Sequence, residues 1–256
     1  MSLEASPLCT VVIPAFNCDQ YIRASLQSVL EQSYKNLEII IIDDCSSDQT
    51  WPIIAYIAAN DCRIMSIKNE KKLGTAETRN KGFSIATGDY IALLDADDLW
   101  HQDKLKKQID LMQQCHCNLC YTSHSFIDSD GDAIRKSNIV PEKTCLKDLI
   151  INNVICCSTV VLKSQLAKSF KMSSKYQHED YALWIELLNN GCTARGIIEP
   201  LVKYRIHKNS RSYNKFRAAK GRWIIYRQLL GLSIIKSAKA FIAYAWYGMK
   251  KHYWPW

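Results

Sequence analysis

"GTAETRNKGFSIATGDYIALLDADDLW", residues 74–100, is the stretch from which the fold can be read. A helical pattern spans 74–87, a short strand spans 89–94, and the strand stops in three carboxylates, Asp95, Asp97 and Asp98. Like charges ~6 Å apart repel by about 3 kcal/mol at an effective dielectric of about 20. Crowding them at the end of a buried strand therefore calls for a counter-charge.

Working outward, residues 9–14, 37–42 and 63–68 are further short, apolar, β-branched runs, with helical patterns over 19–32 and 48–59 between them. Runs this apolar read as strands covered on both faces, and strand–helix alternation predicts an α/β fold with a doubly wound, mostly parallel sheet. Ligands bind such sheets at the carboxyl ends of the strands. Pro14-Ala15-Phe16-Asn17, Asp43-Asp44 and Asp95 to Asp98 sit at three such ends, so they are expected to converge on one rim.

The second half is less regular. Residues 129–132 read as a hairpin turn between strands 121–127 and 133–135, and 156–162 as another strand. The run 103–114 reads as a helix, and a second helix opens at His178-Glu179-Asp180 and stops at Asn190-Gly191.

The chain has 256 residues, 48% apolar and 23% charged, enough for one large domain or a domain with an appendage. Its first apolar run, 10–16, is short and holds a proline, so it is read as a strand and not a leader. Eleven scattered cysteines are expected to be reduced thiols in a cytosol. Cys115, His116, Cys117 and Cys120 lack the second distant pair of a structural zinc site. Charge is uneven: residues 200–256 hold 13 Lys/Arg and no Asp/Glu, leaving a net −5 on residues 1–199.

Asp95 and Asp97, one residue apart, suit an oxygen-ligated Mg²⁺ or Mn²⁺ whose coordination is completed by water or phosphate. The same residues also fit a solvated loop capping the next helix. A carboxylate at 43 or 44 suits a nucleobase imide or a ribose hydroxyl, although Ser47 or Asp48 also reads as a helix N-cap. Phe16 offers an aromatic face to a base, or simply packs in the core. Asp180 and Glu179 suit a helix N-terminus on dipole grounds alone, and either could serve as a general base.

Taken together, "TVVIPAFNCDQYI", "IIIIDDCSSDQT", the 74–100 stretch, "HEDYALWIEL" and "YRIHKNSRS", in that order, resemble the inverting family 2 glycosyltransferases of the GT-A fold over roughly residues 8–210. The resemblance implies that Pro14, Ala15 and Phe16 line a nucleotide pocket, with Asp44 on the base, Asp43 beside it and Arg79 near the donor. It implies that Asp95-Ala96-Asp97 is the DxD element, Asp97 the principal metal ligand, Asp95 a ribose or metal contact, and Asp180 the catalytic base. His207 is expected to close over the diphosphate or metal. The chemistry implied is a single displacement from a UDP-sugar, with Mn²⁺ or Mg²⁺, giving a β-linked product on an acceptor sugar. Two departures stand out. Asp19 occupies a position where the family often has Glu, and "QHED" follows Lys175-Tyr176 and not a glycine-rich loop.

Residues 1–210 are thus expected to form the GT-A domain, and 211–256 a helical, basic and aromatic appendage. Within it, 223–249 shows a helical apolar stripe (Leu230, Ile234, Ala238, Phe241, Ile242, Ala245) broken by Arg227, Lys236 and Lys239. The longest uncharged run toward its end, 240–249, has ten residues against the roughly 20 needed to span a bilayer. An anionic membrane surface is the expected partner, with packing on the chain's own domain or on a partner subunit as the alternative. The acceptor is then expected to be a polyprenyl-diphosphate-linked glycan, and the location cytoplasmic, at the inner face of a bacterial cytoplasmic membrane. The rival reading is a non-catalytic nucleotide- or nucleic-acid-binding module using the basic tail. The acidic body argues against nucleic acid as a partner.

Overall fold

The computed structural model describes residues 6–207 and 215–253. Lys208 to Ser212 of the "YRIHKNSRS" stretch and the closing Trp254-Pro255-Trp256 lie outside the described residues.

The first half follows the alternation closely: β1 (Cys9–Ala15), α1 (Ile22–Leu30), β2 (Leu37–Asp43), α2 (Thr50–Ala58), β3 (Ile64–Lys68), α3 (Thr75–Ile85) and β4 (Tyr90–Leu93). There follow β5 (Leu99–Trp100), α4 (Lys104–Cys115), β6 (Leu119–Ile127), β7 (Ala133–Asn138), β8 (Lys143–Thr144), α5 (Leu146–Ile151), β9 (Val161–Lys163), α6 (Ser164–Ser169), α7 (Glu179–Asn189), β10 (Ala194–Arg205), α8 (Lys215–Ile224) and α9 (Ile234–Tyr253).

One sheet runs β3-β2-β1-β4-β9-β6-β10-β5, with β7 on β6 and β8 on β10. Strands β1 to β4 are mutually parallel. β9 is antiparallel to both β4 and β6, and β10 is parallel to β6. The carboxyl ends of β1, β2, β4, β6 and β10 therefore face one rim. Alternation along β1 splits its side chains between two layers, as a strand's period of two requires. Val11 and Ile13 pack with Leu26 of α1, Ile54 of α2 and Ile109 of α4. Val12 packs on the other face with Phe83 of α3 and Trp184 of α7.

Three expected elements are corrected. Residues 156–162 are not one strand: a 3₁₀ turn covers Cys157–Thr159 before β9 begins, because the Thr159 hydroxyl donates to Cys156 O (2.6 Å) and Val160 N–H to Cys157 O. The first helix starts at Ile22 and not at 19. The tail helix expected over 223–249 is broken after Ile224 by a π turn, Ile225–Leu229, and by Gly231 at φ 60°.

Candidate active site

At the end of β2, Asp44 is buried and its carboxylate is held by the chain itself. Oδ1 accepts from Leu73 N–H (2.8 Å) and Asn69 Nδ2 (2.9 Å), and Oδ2 accepts from Gly74 N–H (2.8 Å). Burial alone would raise its pKa, but these bonds outweigh it and hold the carboxyl below its ordinary value. Asp44 thereby fixes Gly74, whose φ of 86° turns the chain into α3.

Helix α3 lies close on β1: a Cβ at Gly82 would come within 2.5 Å of Val12 Cγ1. That approach carries Arg79, buried to 1% exposure, under the rim. One guanidinium nitrogen donates to Asp95 Oδ1, and the other to Glu179 Oε1 at 3.2 Å. A single arginine so joins the end of β4 to the start of α7.

The acidic cluster divides by position. Asp98 is fully buried, accepting from the Ser158 hydroxyl (2.5 Å) and from Arg205 N–H (2.8 Å). Ser158 Oγ also accepts from Asp95 N–H (3.1 Å). Arg205 Nε donates to Asp97 O (2.8 Å), so β10 closes over the turn. The side chains of Asp95 and Asp97 stay half-buried and face a cavity. Asp97 Oδ2 lies 3.0 Å from His207 Nε2, and His207 stacks on Tyr21 with ring centroids 5.5 Å apart. Burial first, then the Asp95 charge, raises the Asp97 carboxyl above its ordinary value.

Asp180 begins α7. Its Oδ1 accepts from Tyr181 N–H (2.8 Å), whereas Oδ2 makes no hydrogen bond among the described residues. Burial, then the Glu179 charge, raises its pKa, and Arg79 opposes the shift.

The cavity, of about 1120 Å³, is lined by every site residue expected from the sequence except Asp43. Asp43 is fully buried, its Oδ2 accepting from Ser46 N–H at 3.2 Å. A smaller groove of about 430 Å³ between α1 and α2 holds none of these residues. Sequence reading missed Ser158 and Arg205, and it missed Lys72, whose ammonium sits 3.4 Å from the Phe16 ring centroid. Nothing local marked Ser158, while Arg205 lay unremarked within the "YRIHKNS" motif.

A mostly parallel sheet with paired aspartates at a switch-point rim, facing a cavity shared with an acidic helix start, is the GT-A architecture of a sugar-transferring enzyme. The chain belongs to glycosyl transferase family 2, whose family model matches residues 10–168. It is 38% identical over 245 residues to the Bacillus subtilis protein TuaG, named as a teichuronic acid biosynthesis glycosyltransferase, covering 96% of this chain and 97% of that protein. It is 41% identical over 212 residues to Escherichia coli WfaP, named UDP-Glc:alpha-D-GlcNAc-diphosphoundecaprenol beta-1,3-glucosyltransferase, covering 82% of each. Its fold matches that of S. aureus TarS 1-349 in complex with UDP-GlcNAc, with a TM-score of 0.74 and 17% identity over 93% of this chain and 71% of that one. The chain is thus a glycosyltransferase, and the binding-module reading gives way to an enzyme.

Proposed function

We propose that the enzyme transfers a hexose or N-acetylhexosamine, with inversion, from a UDP-sugar to a hydroxyl of a polyprenyl-diphosphate-linked glycan in bacterial O-antigen, capsule or exopolysaccharide assembly. The names of TuaG and WfaP support the substrate classes. The observation that carries the mechanism is the unequal state of the two acids at the start of α7. Glu179 is paired with Arg79, whereas Asp180 keeps an oxygen toward the cavity.

Asp180 accepts the proton of the acceptor hydroxyl as that oxygen attacks the anomeric carbon, and the nucleoside diphosphate leaves from the opposite side. An α-linked donor then gives a β-linked product. Pro14, Ala15 and Phe16 form the wall for the nucleotide. A carboxylate has about four lone-pair sites. Asp44 uses three or more on the chain, on Leu73, Asn69 and Gly74 and toward Thr78, so it meets a base imide as a carboxylate already fixed in place. Arg79 orients Asp95 toward ribose, and Asp43 supports the wall from behind.

Asp97 and His207 together offer an oxygen and an imidazole nitrogen to Mn²⁺ or Mg²⁺. The crowded carboxylates fit a bound cation, which would offset charge on the departing diphosphate. Among the described residues no group of three His, Cys, Asp or Glu could hold a metal, so diphosphate oxygens and water are the fitting remainder of the coordination shell.

Residues 211–256 are proposed to act as an appendage at the cytoplasmic face of the membrane. No helix among the described residues is long and apolar enough to cross a bilayer. The experiment is UDP release and product analysis with a panel of UDP-sugars, Mn²⁺ and a GlcNAc-diphosphoryl-alkyl acceptor. Asp180→Asn should lower kcat by about 10²–10⁴-fold with the donor KM retained, and the acid limb of the wild-type profile should lie above the ordinary carboxylate range. A fully active Asp180→Asn enzyme would remove the assignment.

A further inference from the structure

The cavity extends past β4 onto a face that the chemistry above leaves unused. Phe126 of β6 is in register with Tyr204 of β10 on one side and Arg135 of β7 on the other. His124, two residues earlier on the same face, is paired with Asn138. All five side chains line the cavity. His124 and Tyr204 meet Phe126 edge-on, at 4.9 and 6.1 Å between ring centroids.

Arg135 is the distinctive member of this group. Its guanidinium carbon sits 3.5 Å from the Phe126 ring centroid, and among the described residues it makes no hydrogen bond or ion pair. Stacking holds the plane of the guanidinium while leaving its N–H edge available. A fork of donors held on an aromatic ring at a cavity wall suits a phosphate oxygen pair.

We infer that Arg135 is the phosphate anchor of the acceptor subsite. A glycosyl diphosphate lies over the β6–β7–β10 face, with its phosphate on Arg135 and its sugar extending along the floor toward Asp180. The nucleoside of UDP occupies the β1–β2 side of the same rim and its diphosphate the end of β4, so the acceptor diphosphate lies on the opposite, β6–β7–β10 side of Asp97. This rests on the lipid-diphosphate acceptor proposed above, and it assigns the residue that distinguishes such an acceptor from a plain glycoside.

The test uses the full chain with whichever UDP-sugar the wild type turns over, and two acceptors, a GlcNAc α-diphosphoryl-undecyl compound and the undecyl α-glycoside of GlcNAc without phosphate. For Arg135→Ala, KM for the diphosphate acceptor should rise about tenfold to a hundredfold, the scale of losing a charge-assisted hydrogen-bonded pair. Donor KM and acceptor-free UDP release should stay at wild-type values. Arg135→Lys should recover part of the loss, since it keeps the charge but not the fork. The phosphate-free acceptor should be poor for the wild type and indifferent to the substitution. Unchanged KM for the diphosphate acceptor, or equal losses on both acceptors, overturns the assignment while leaving the transferase reading intact. A wild type that transfers to neither acceptor overturns both.

Discussion

Lys104 shows how one residue can escape a sequence reading. A lysine in the first turn of a helix reads as solvated, yet Lys104 is fully buried, its Nζ 3.9 Å from the Trp100 ring centroid and without a hydrogen-bond partner among the described residues. Burial brings its pKa down to about 7, against about 10.4 in an unfolded chain. Between those values the unfolded chain holds a proton that the folded one lacks, so this lysine's contribution to stability improves as pH rises from about 7 to about 10.4. Lys104→Met should therefore stabilise the fold at pH 7 by about 1–4 kcal/mol in urea denaturation, and the gap to wild type should narrow toward pH 10. The buried thiols of Cys9 and Cys120, pushed up to about 12 and themselves lowered by the Lys104 charge, titrate in the opposite sense, so the comparison is read from about pH 7 to about 9, where they stay protonated in both folded proteins. A gap independent of pH would assign the effect to packing alone.

At the scale of elements, α3 is fixed by its contact with β1. Valine's stiff side chain cannot swing away from an added Cβ at Gly82. Gly82→Ala should cost about 1–3 kcal/mol, and adding Val12→Ala should recover much of it; strictly additive losses in the double-mutant cycle would contradict the contact. The elements that sequence conveyed well were those with uninterrupted periodicity: β1 to β4 and the helices between them fell within a few residues. Elements set by tertiary contacts were less legible. The 12-residue β10 was missed because Glu199 and Pro200 interrupt its apolar pattern, and there its register with β6 shifts. The 3₁₀ turn before β9 is closed by local bonds but placed against the rim by Ser158, whose partners Asp95, Asp98 and Trp100 are all distant in sequence.

At the scale of the molecule, convergence of strand ends on one rim was legible from alternation alone, whereas the β6–β7–β10 half of the cavity was not. The C-terminal helices also divide by face. Arg222 of α8 reaches Ile150 O (3.1 Å), and Tyr226 in the π turn is fully buried, its hydroxyl donating to the same carbonyl (2.5 Å). On α9, Phe241 packs edge-on against Trp223 (5.9 Å) and Tyr244 lies under Arg222 (4.1 Å). Ile235, Ile242 and Trp246, 70%, 68% and 60% exposed, fall on the opposite side with Lys239. The proposed membrane contact is this outer stripe. A chain ending at residue 233 keeps the docked α8 and should lose flotation with anionic vesicles while keeping turnover on a short-chain acceptor. Equal flotation of both chains would exclude α9 as the anchor.

The bonds from Ser158 and Arg205 to Asp98 span 60 and 107 residues. At about 5–20 residues per second of synthesis, the acidic turn waits on the order of 5–20 s for Arg205 to be made. Strands β1 to β4 can pair in that interval and Ser158 can reach the turn that ends β4, but the turn is fully clasped only when β10 enters the sheet. A nascent or stalled chain thus carries the nucleotide-side sheet without a fixed acidic turn, and the last strand of the sheet sets the moment at which the enzyme comes into being.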